Sequence, residues 1–313
     1  MLVYLIFVVS LIVLIYGADI IVGESGKIAL KFGISEYIIG ATLVALGTSL
    51  PEMAASINAS INNKPELSIS NIVGSNIMNI SLVLGLVLIL SKNKIKPSEF
   101  IEKESIWALF PVLLFILIIQ NGIISRFNGF ILTIIMVAYI LFLLKNNKSA
   151  IDSIDTSNEE LKNFSWIKSS LLLIIGFLMV VYGADYTVDS ASKIAKSFGV
   201  SDWLIGVILV ALGTSMPELV VSISATMKGK ADMAIGNVIG SNISNISIAL
   251  GAAAIANPIK LNFYNYLFDI LTMLIATIII VFMNTNKMYS RAVGILLLLL
   301  FSVFIEHSSH AIL

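Results

Sequence analysis

Of the 313 residues, 58% are hydrophobic and only 12% are charged, with 19 basic side chains against 19 acidic ones. A water-soluble domain carries about 25% charged residues, so this composition excludes an ordinary soluble fold, and the balanced charge offers nucleic acid no basic surface. The absence of cysteine removes disulfides, thiolate metal sites and thiol catalysis together.

The apolar residues come in runs close to the ~20-residue length that crosses about 30 Å of hydrocarbon. Runs at 2–24, 36–62, 67–90, 105–120 and 123–144 predict five membrane-spanning helices. The first lacks the basic leading region of a signal peptide and leads straight into a motif that recurs later, so it reads as a retained span. A polar stretch at 145–162 follows, without an apolar run, and reads as a solvated linker. Runs at 166–190, 202–227, 232–256, 264–283 and 290–306 predict five more spans. The expected fold is therefore an all-α integral membrane protein of ten transmembrane helices, with units at 1–145 and 165–313 joined by a linker at 146–164.

The two units are copies. YGAD at 16–19 returns at 182–185, GTSLPE at 47–52 as GTSMPE at 213–218, and NIVGSNIMNIS at 71–81 as NVIGSNISNIS at 237–247, always 166 residues on. Five spans are an odd number, so the second copy enters the membrane from the opposite side. Such inverted repeats place a shared site near the bilayer midplane, where broken helices of both halves meet. Breaks are expected at Gly47 and Pro51 in span two and at Gly213 and Pro217 in span seven; Gly74 and Gly240 flank polar turns in spans three and eight. Basic residues inside the repeats nearly cancel between the two sides. Lys92, Lys94, Lys96, Lys103 and the linker lysines then predict a cytoplasmic linker and extracytoplasmic termini.

Glu52 and Glu218 occupy one repeat position, each far from the ends of its span. A carboxylate there costs about 2.5–3.5 kcal/mol even on lenient insertion scales, so the pair points to function. Two carboxylates converging in low dielectric repel unless a cation lies between them or one takes a proton. Calcium, with six to eight oxygen ligands in tolerant geometry, fits such a pair. Further oxygens lie close by in sequence: Thr48, Ser49, Thr214 and Ser215 before the prolines, and Ser75, Asn76, Asn79, Ser241, Asn242 and Asn245 in spans three and eight. Prolines 51 and 217 should also free carbonyls at 45–48 and 211–214. Gly, Ser and Asn in membrane helices often serve close packing alone; duplication beside a proline and a glutamate favours an ion site.

The pairs GTSLPE with NIVGSNIMN and GTSMPE with NVIGSNISN resemble the two alpha repeats (40–85 and 206–251 here) of sodium/calcium exchangers in the cation/calcium exchanger superfamily. The resemblance is close over 16–85 and 182–251. It implies a secondary active antiporter exchanging Na⁺ for Ca²⁺ by alternating access, with no cofactor, no enzymatic activity and monomeric function. By position, calcium would use Glu52, Glu218, Thr48 and Thr214. Sodium would add Ala45, Ser49, Ser75, Ala211, Ser215, Ser241, and Asn79 or Asn245. It also implies that spans one and six slide across the core as gates. One departure stands out: some relatives, potassium-dependent exchangers among them, carry Asp where this chain has Asn245, which argues against potassium co-transport.

The alternatives are a proton/calcium antiporter using the same glutamates, and a cation channel. An intramembrane hydrolase lacks any serine–histidine, zinc or paired-aspartate arrangement at membrane depth. Asp19 and Asp185 read as structural residues near helix ends, His307 and His310 as surface residues, and Lys193 and Lys196 beyond Asp189 as a solvated helix face.

Overall fold

The computed structural model describes residues 2–91, 99–146, 164–199 and 211–310. Helix α1 covers Leu2–Phe32, α2 Glu36–Thr48, α3 Leu50–Ile61 and α4 Pro65–Leu90. Helices α5 and α6 cover Glu99–Ile119 and Arg126–Asn146, and α7 covers Trp166–Ser197. Then come α8 (Ala211–Met227), α9 (Ala231–Ala256), α10 (Leu267–Thr285) and α11 (Arg291–His310).

Among the described residues, seven helices are long and apolar enough to span a membrane, or eight if the bent pair α2–α3 counts as one. The other two expected spans correspond to α5, whose apolar stretch is Ile106–Ile119, and to α8. Residues 202–210 of expected span seven and most of the linker lie outside the described residues.

Burial sorts the helices into layers. The membrane windows of α4 and α9 are 78% and 83% buried, against 33% for α1, α6 and α7. A helix apolar on every side belongs inside a large fold or against lipid. Here α4 and α9 form the centre, and the Leu- and Ile-rich flanks of α1, α6 and α7 face outward. The centre crosses its neighbours at backbone distance: Gly240 of α9 lies on Ala41 of α2, where a methyl group on Gly240 would fall 2.6 Å from the Ala41 Cα. α1 and α7 run antiparallel, with Gly183 against Leu14 and Gly17 against Gly176 and Met179.

Side-chain contacts assign the connections to two ends. At one end, Asn257 Nδ2 donates to Ser60 O (2.8 Å) and Asn63 Oδ1 (3.0 Å). There strand β1 (Ile123–Ile124) also pairs antiparallel with β2 (Ile259–Lys260), Ile123 opposite Lys260. At the other end, Lys228 bonds Asp19 (2.9 Å), Lys230 bonds Glu36 (2.9 Å), and the rings of Phe32 and Trp166 meet at 4.9 Å.

Several expectations need correction. Helices α1 and α7 run to Phe32 and Ser197, past the expected ends at 24 and 190, so Asp19 and Asp185 lie within helices and not at their ends. The extension of α1 is held by its buried face, which includes Ile28 and Ala29, and by the Lys27–Glu24 pair at 2.7 Å. Asp19 instead ties α1 to α8, accepting from Ser224 Oγ at 2.6 Å. His307 is exposed, the surface residue expected, and its ring stacks on Phe268 with centroids 3.5 Å apart. Lys193 does pair with Asp189 along an exposed face of α7, at 2.6 Å.

Candidate functional site

The expected break in the first half is present. α2 and α3 meet at 46° across Ser49, whose φ of −84° and ψ of 5° leave helical geometry. Pro51 lies in the first turn of α3, where its missing N–H costs nothing. The turn places Glu52 in the first turn of α3, where unpaired backbone N–H groups favour a carboxylate. In the second half, α8 runs unbroken from Ala211 through Pro217 to Met227, so no break occurs at Gly213 within the described residues. A proline removes one hydrogen bond from a helix, and bonds on either side can carry it through.

The carbonyl expectation also changes. Ala45 O accepts the Ser49 N–H at 3.0 Å, the Thr48 hydroxyl at 3.3 Å and the Ser241 hydroxyl at 3.5 Å. Pro51 leaves the carbonyl of Gly47 without its helical donor, not that of Ala45.

Glu52 and Glu218 are both fully buried. Ser49, at the break in the first half, donates to Glu218 Oε1 at 2.9 Å, and Ser241 reaches the same oxygen at 3.4 Å. Ser75 Oγ and Thr214 Oγ1 lie 3.4 Å apart. Glu52 lies near both Ser75 and Glu218, so residues of both repeats meet in one cluster: Ala45, Thr48, Ser49, Glu52 and Ser75 from the first, Thr214, Glu218 and Ser241 from the second. Ser215 is buried beside Thr214 on α8, and Ala211 is the first described residue of that helix. Asn79 and Asn245, also fully buried, lie one turn beyond Ser75 and Ser241.

Both asparagines begin π-helical segments, Asn79–Leu84 in α4 and Asn245–Ala249 in α9. These wider turns were not foreseen in the sequence. They recur at functional sites because they rotate the following side chains relative to an α-helix. Two further polar pairs escaped the sequence reading. Asn71 Nδ2 donates to Ser56 Oγ at 2.8 Å and to Glu52 O at 3.1 Å, while Asn237 Nδ2 donates to Ser222 Oγ at 3.0 Å. The signal was available: Asn71 with Asn237 and Ser56 with Ser222 each stand 166 residues apart.

The cluster is rich in oxygen acceptors that lack donors. Neither oxygen of Glu52 has a hydrogen-bond partner, nor do Glu218 Oε2, Asn79 Oδ1, Asn245 Oδ1 or Ser215 Oγ, although all are buried. No Lys or Arg pairs with either glutamate among the described residues. Buried acceptors are normally satisfied, and leaving them unmade costs about 1–3 kcal/mol each. A hard cation answers that deficit, since it binds oxygen and needs no proton donor. A cavity of about 350 Å³ reaches the cluster between α7 and α8, lined among others by Pro51, Asp185, Asp189, Thr214 and Pro217. On the opposite side of the break, the Phe177 ring of α7 packs directly on Gly47.

A multispanning helical protein with two buried carboxylates in a donor-poor oxygen cluster is an ion-handling membrane protein. A family model described as sodium/calcium exchanger protein matches residues 2–145 and 168–309, and the chain belongs to that family. An uncharacterised membrane protein of Methanocaldococcus jannaschii is 41% identical over 249 residues, 80% of each chain. Sodium/calcium exchanger MaX1 of Methanosarcina acetivorans is 32% identical over an alignment of 342 positions, 96% of this chain and 97% of that one. The solved structure of the sodium-calcium exchanger NCX_Mj, soaked with 2.5 mM Na⁺ and 0.1 mM Ca²⁺, matches with a TM-score of 0.82 at 36% identity over 98% of both chains. Membership of this family makes the chain a cation/calcium exchanger and not an enzyme, with Na⁺ and Ca²⁺ as its ions and no cofactor.

Proposed function

We propose that the chain exchanges Na⁺ for Ca²⁺ by alternating access at one site near the bilayer midplane, shared by two inverted five-helix repeats. The buried carboxylate oxygens of Glu52, left without donors between the two repeats, carry this reading. Calcium is held by Glu52, Glu218, Thr48 and Thr214. Sodium uses those groups together with the carbonyls of Ala45 and Ala211, the hydroxyls of Ser49, Ser75, Ser215 and Ser241, and the amides of Asn79 and Asn245. Either ion neutralises the carboxylates, so a loaded protein can change access while an empty one holds two charges in low dielectric.

Ten spans in two units, 1–145 and 165–313, fit the two-ended grouping of the connections. The end that joins Asp19 to Lys228 is cytoplasmic in this reading, as is the linker at 146–164, and both termini are extracytoplasmic. The cavity beside Asp185 and Asp189 is then an outer approach to the site, and Phe177 on Gly47 closes the inner one. α1 and α7 are the moving pair: they pack on each other through glycines and bury little of their length in the core.

The test is sodium-driven calcium uptake into proteoliposomes by Glu52→Gln and Glu218→Gln. Each variant should fold and lose uptake. A folded variant with near parental uptake removes that glutamate from the site, and uptake driven by a pH gradient but not by sodium replaces sodium with protons as the coupling ion.

A further inference from the structure

Asn76 and Asn242 are repeat equivalents, and they meet at the boundary between the copies. Asn76 Nδ2 donates to Asn242 O at 3.2 Å, and Asn242 Nδ2 donates to Asn76 O at 3.0 Å. Each bond settles which way its amide points, because the nitrogen must face the opposing carbonyl. The Oδ1 of Asn76 is thereby turned elsewhere. It accepts from Asn245 Nδ2 at 3.1 Å, which in turn leaves Asn245 Oδ1 buried with no donor. The equivalent bond in the other half, from Asn79 to Asn242 Oδ1, is not made: both polar atoms of Asn79 and the Oδ1 of Asn242 lack partners.

We infer that Asn76 is a positioning residue that fixes the amide of Asn245 with its oxygen free for a cation, while Asn79 has no such partner. The inference rests on the proposed ion site. Reversed, the Asn245 amide would present its N–H groups, whose partial positive charge repels a cation. Accepting from that nitrogen, Asn76 rules the reversed orientation out before the ion arrives. Pre-set ligands bind more tightly than ligands that must first choose an orientation. Asn79 and Asn245 thus make unequal sodium ligands although they hold one repeat position, and sodium binding depends more on Asn245.

The experiment compares Asn76→Ala with Asn242→Ala by sodium-driven calcium flux in proteoliposomes. Both variants lose one bond of the reciprocal pair, and Asn76→Ala loses in addition the contact of its Nδ2 with Met273 Sδ at 3.8 Å, which Met273→Leu removes separately. Only Asn76→Ala also frees Asn245. It should raise the sodium concentration for half-maximal flux about 3- to 20-fold, the span of interhelical side-chain hydrogen bonds in membranes. Asn242→Ala should leave that value within about twofold, because it keeps the Asn76–Asn245 bond whose loss carries the effect. Asn76→Ala should add nothing further in an Asn245→Ala background, and Asn76→Ser serves if the alanine variant does not fold. Equal shifts from Asn76→Ala and Asn242→Ala, or additive shifts from Asn76→Ala and Asn245→Ala, overturn the inference. Glu52→Gln and Glu218→Gln, run alongside, separate the two readings: if they keep full uptake, the ion site itself is misplaced. If they lose uptake and the asparagine variants shift alike, only the positioning role falls.

Discussion

A single methyl group at Gly240 should damage both the fold and the site. The Cβ of Gly240→Ala would press on the Ala41 carbonyl oxygen and lie 2.6 Å and 2.7 Å from the Ala41 Cα and carbonyl carbon. All three are backbone atoms, so no side chain can rotate away. Ordinary carbon–carbon contact is about 3.5–4.0 Å, and α2 and α9 must therefore separate by roughly 1 Å. Overpacking of this kind costs about 1–3 kcal/mol, or about a 5- to 150-fold fall in the folded-to-unfolded ratio. Ala41 is one turn from Ala45, and Gly240 precedes Ser241, whose hydroxyl lies 3.5 Å from Ala45 O. The wedge therefore opens the candidate site directly. Thermal unfolding in detergent reads the first effect, and the calcium dependence of flux in reconstituted vesicles the second. Unchanged stability together with unchanged calcium dependence would refute the close crossing of these helices.

Three further outcomes are expected. Cysteines introduced singly by Ser157→Cys and Ser309→Cys should label from the cytoplasm and from outside respectively; labelling of Ser309→Cys only from the cytoplasm reverses the topology. Sodium-driven calcium efflux should need no potassium, since Asn79 and Asn245 leave two carboxylates in the site, and Asn245→Asp should make transport sensitive to pH or potassium. A strict potassium requirement in the parent chain contradicts this. Lys228→Ala should cost at most about 1 kcal/mol in thermal unfolding, because the Lys228 and Asp19 side chains remain 37% and 45% exposed; a loss beyond about 3 kcal/mol would place that ion pair in a desolvated setting.

The large features were legible because each follows from local residue chemistry. Long apolar runs announce helices in a membrane, and the 166-residue offset announces two copies. Glu52 and Glu218 stand out because a buried carboxylate is costly wherever it occurs. What stayed hidden depends on partners that sequence does not specify. Pro51 accompanies a 46° bend while Pro217 sits inside a continuous helix, though both follow the same GTS motif with one residue between, so the surroundings decide whether a proline breaks its helix. The π-helical turns at Asn79 and Asn245 are choices of backbone hydrogen-bond register, invisible to hydropathy. Nor could repeat matching reveal that Asn245 is held by Asn76 while Asn79 lacks the equivalent bond, because the two copies read alike at those positions.

The widened turns at Asn79 and Asn245 also bear on descent. Each occupies the same place in its copy, within stretches that remain largely alike in sequence. A shared irregularity of this kind is more simply inherited once than acquired twice, which puts it in the ancestral half-length chain before the gene doubled. The exchange of hydrogen bonds between Asn76 and Asn242 then has a natural precursor. In an antiparallel pair of identical subunits, one asparagine would have bonded its own twin across a two-fold axis, as isologous contacts do. Fusion into one polypeptide released the two copies from that identity, so that Asn76 holds the amide of Asn245 while Asn242 makes no equivalent bond with Asn79.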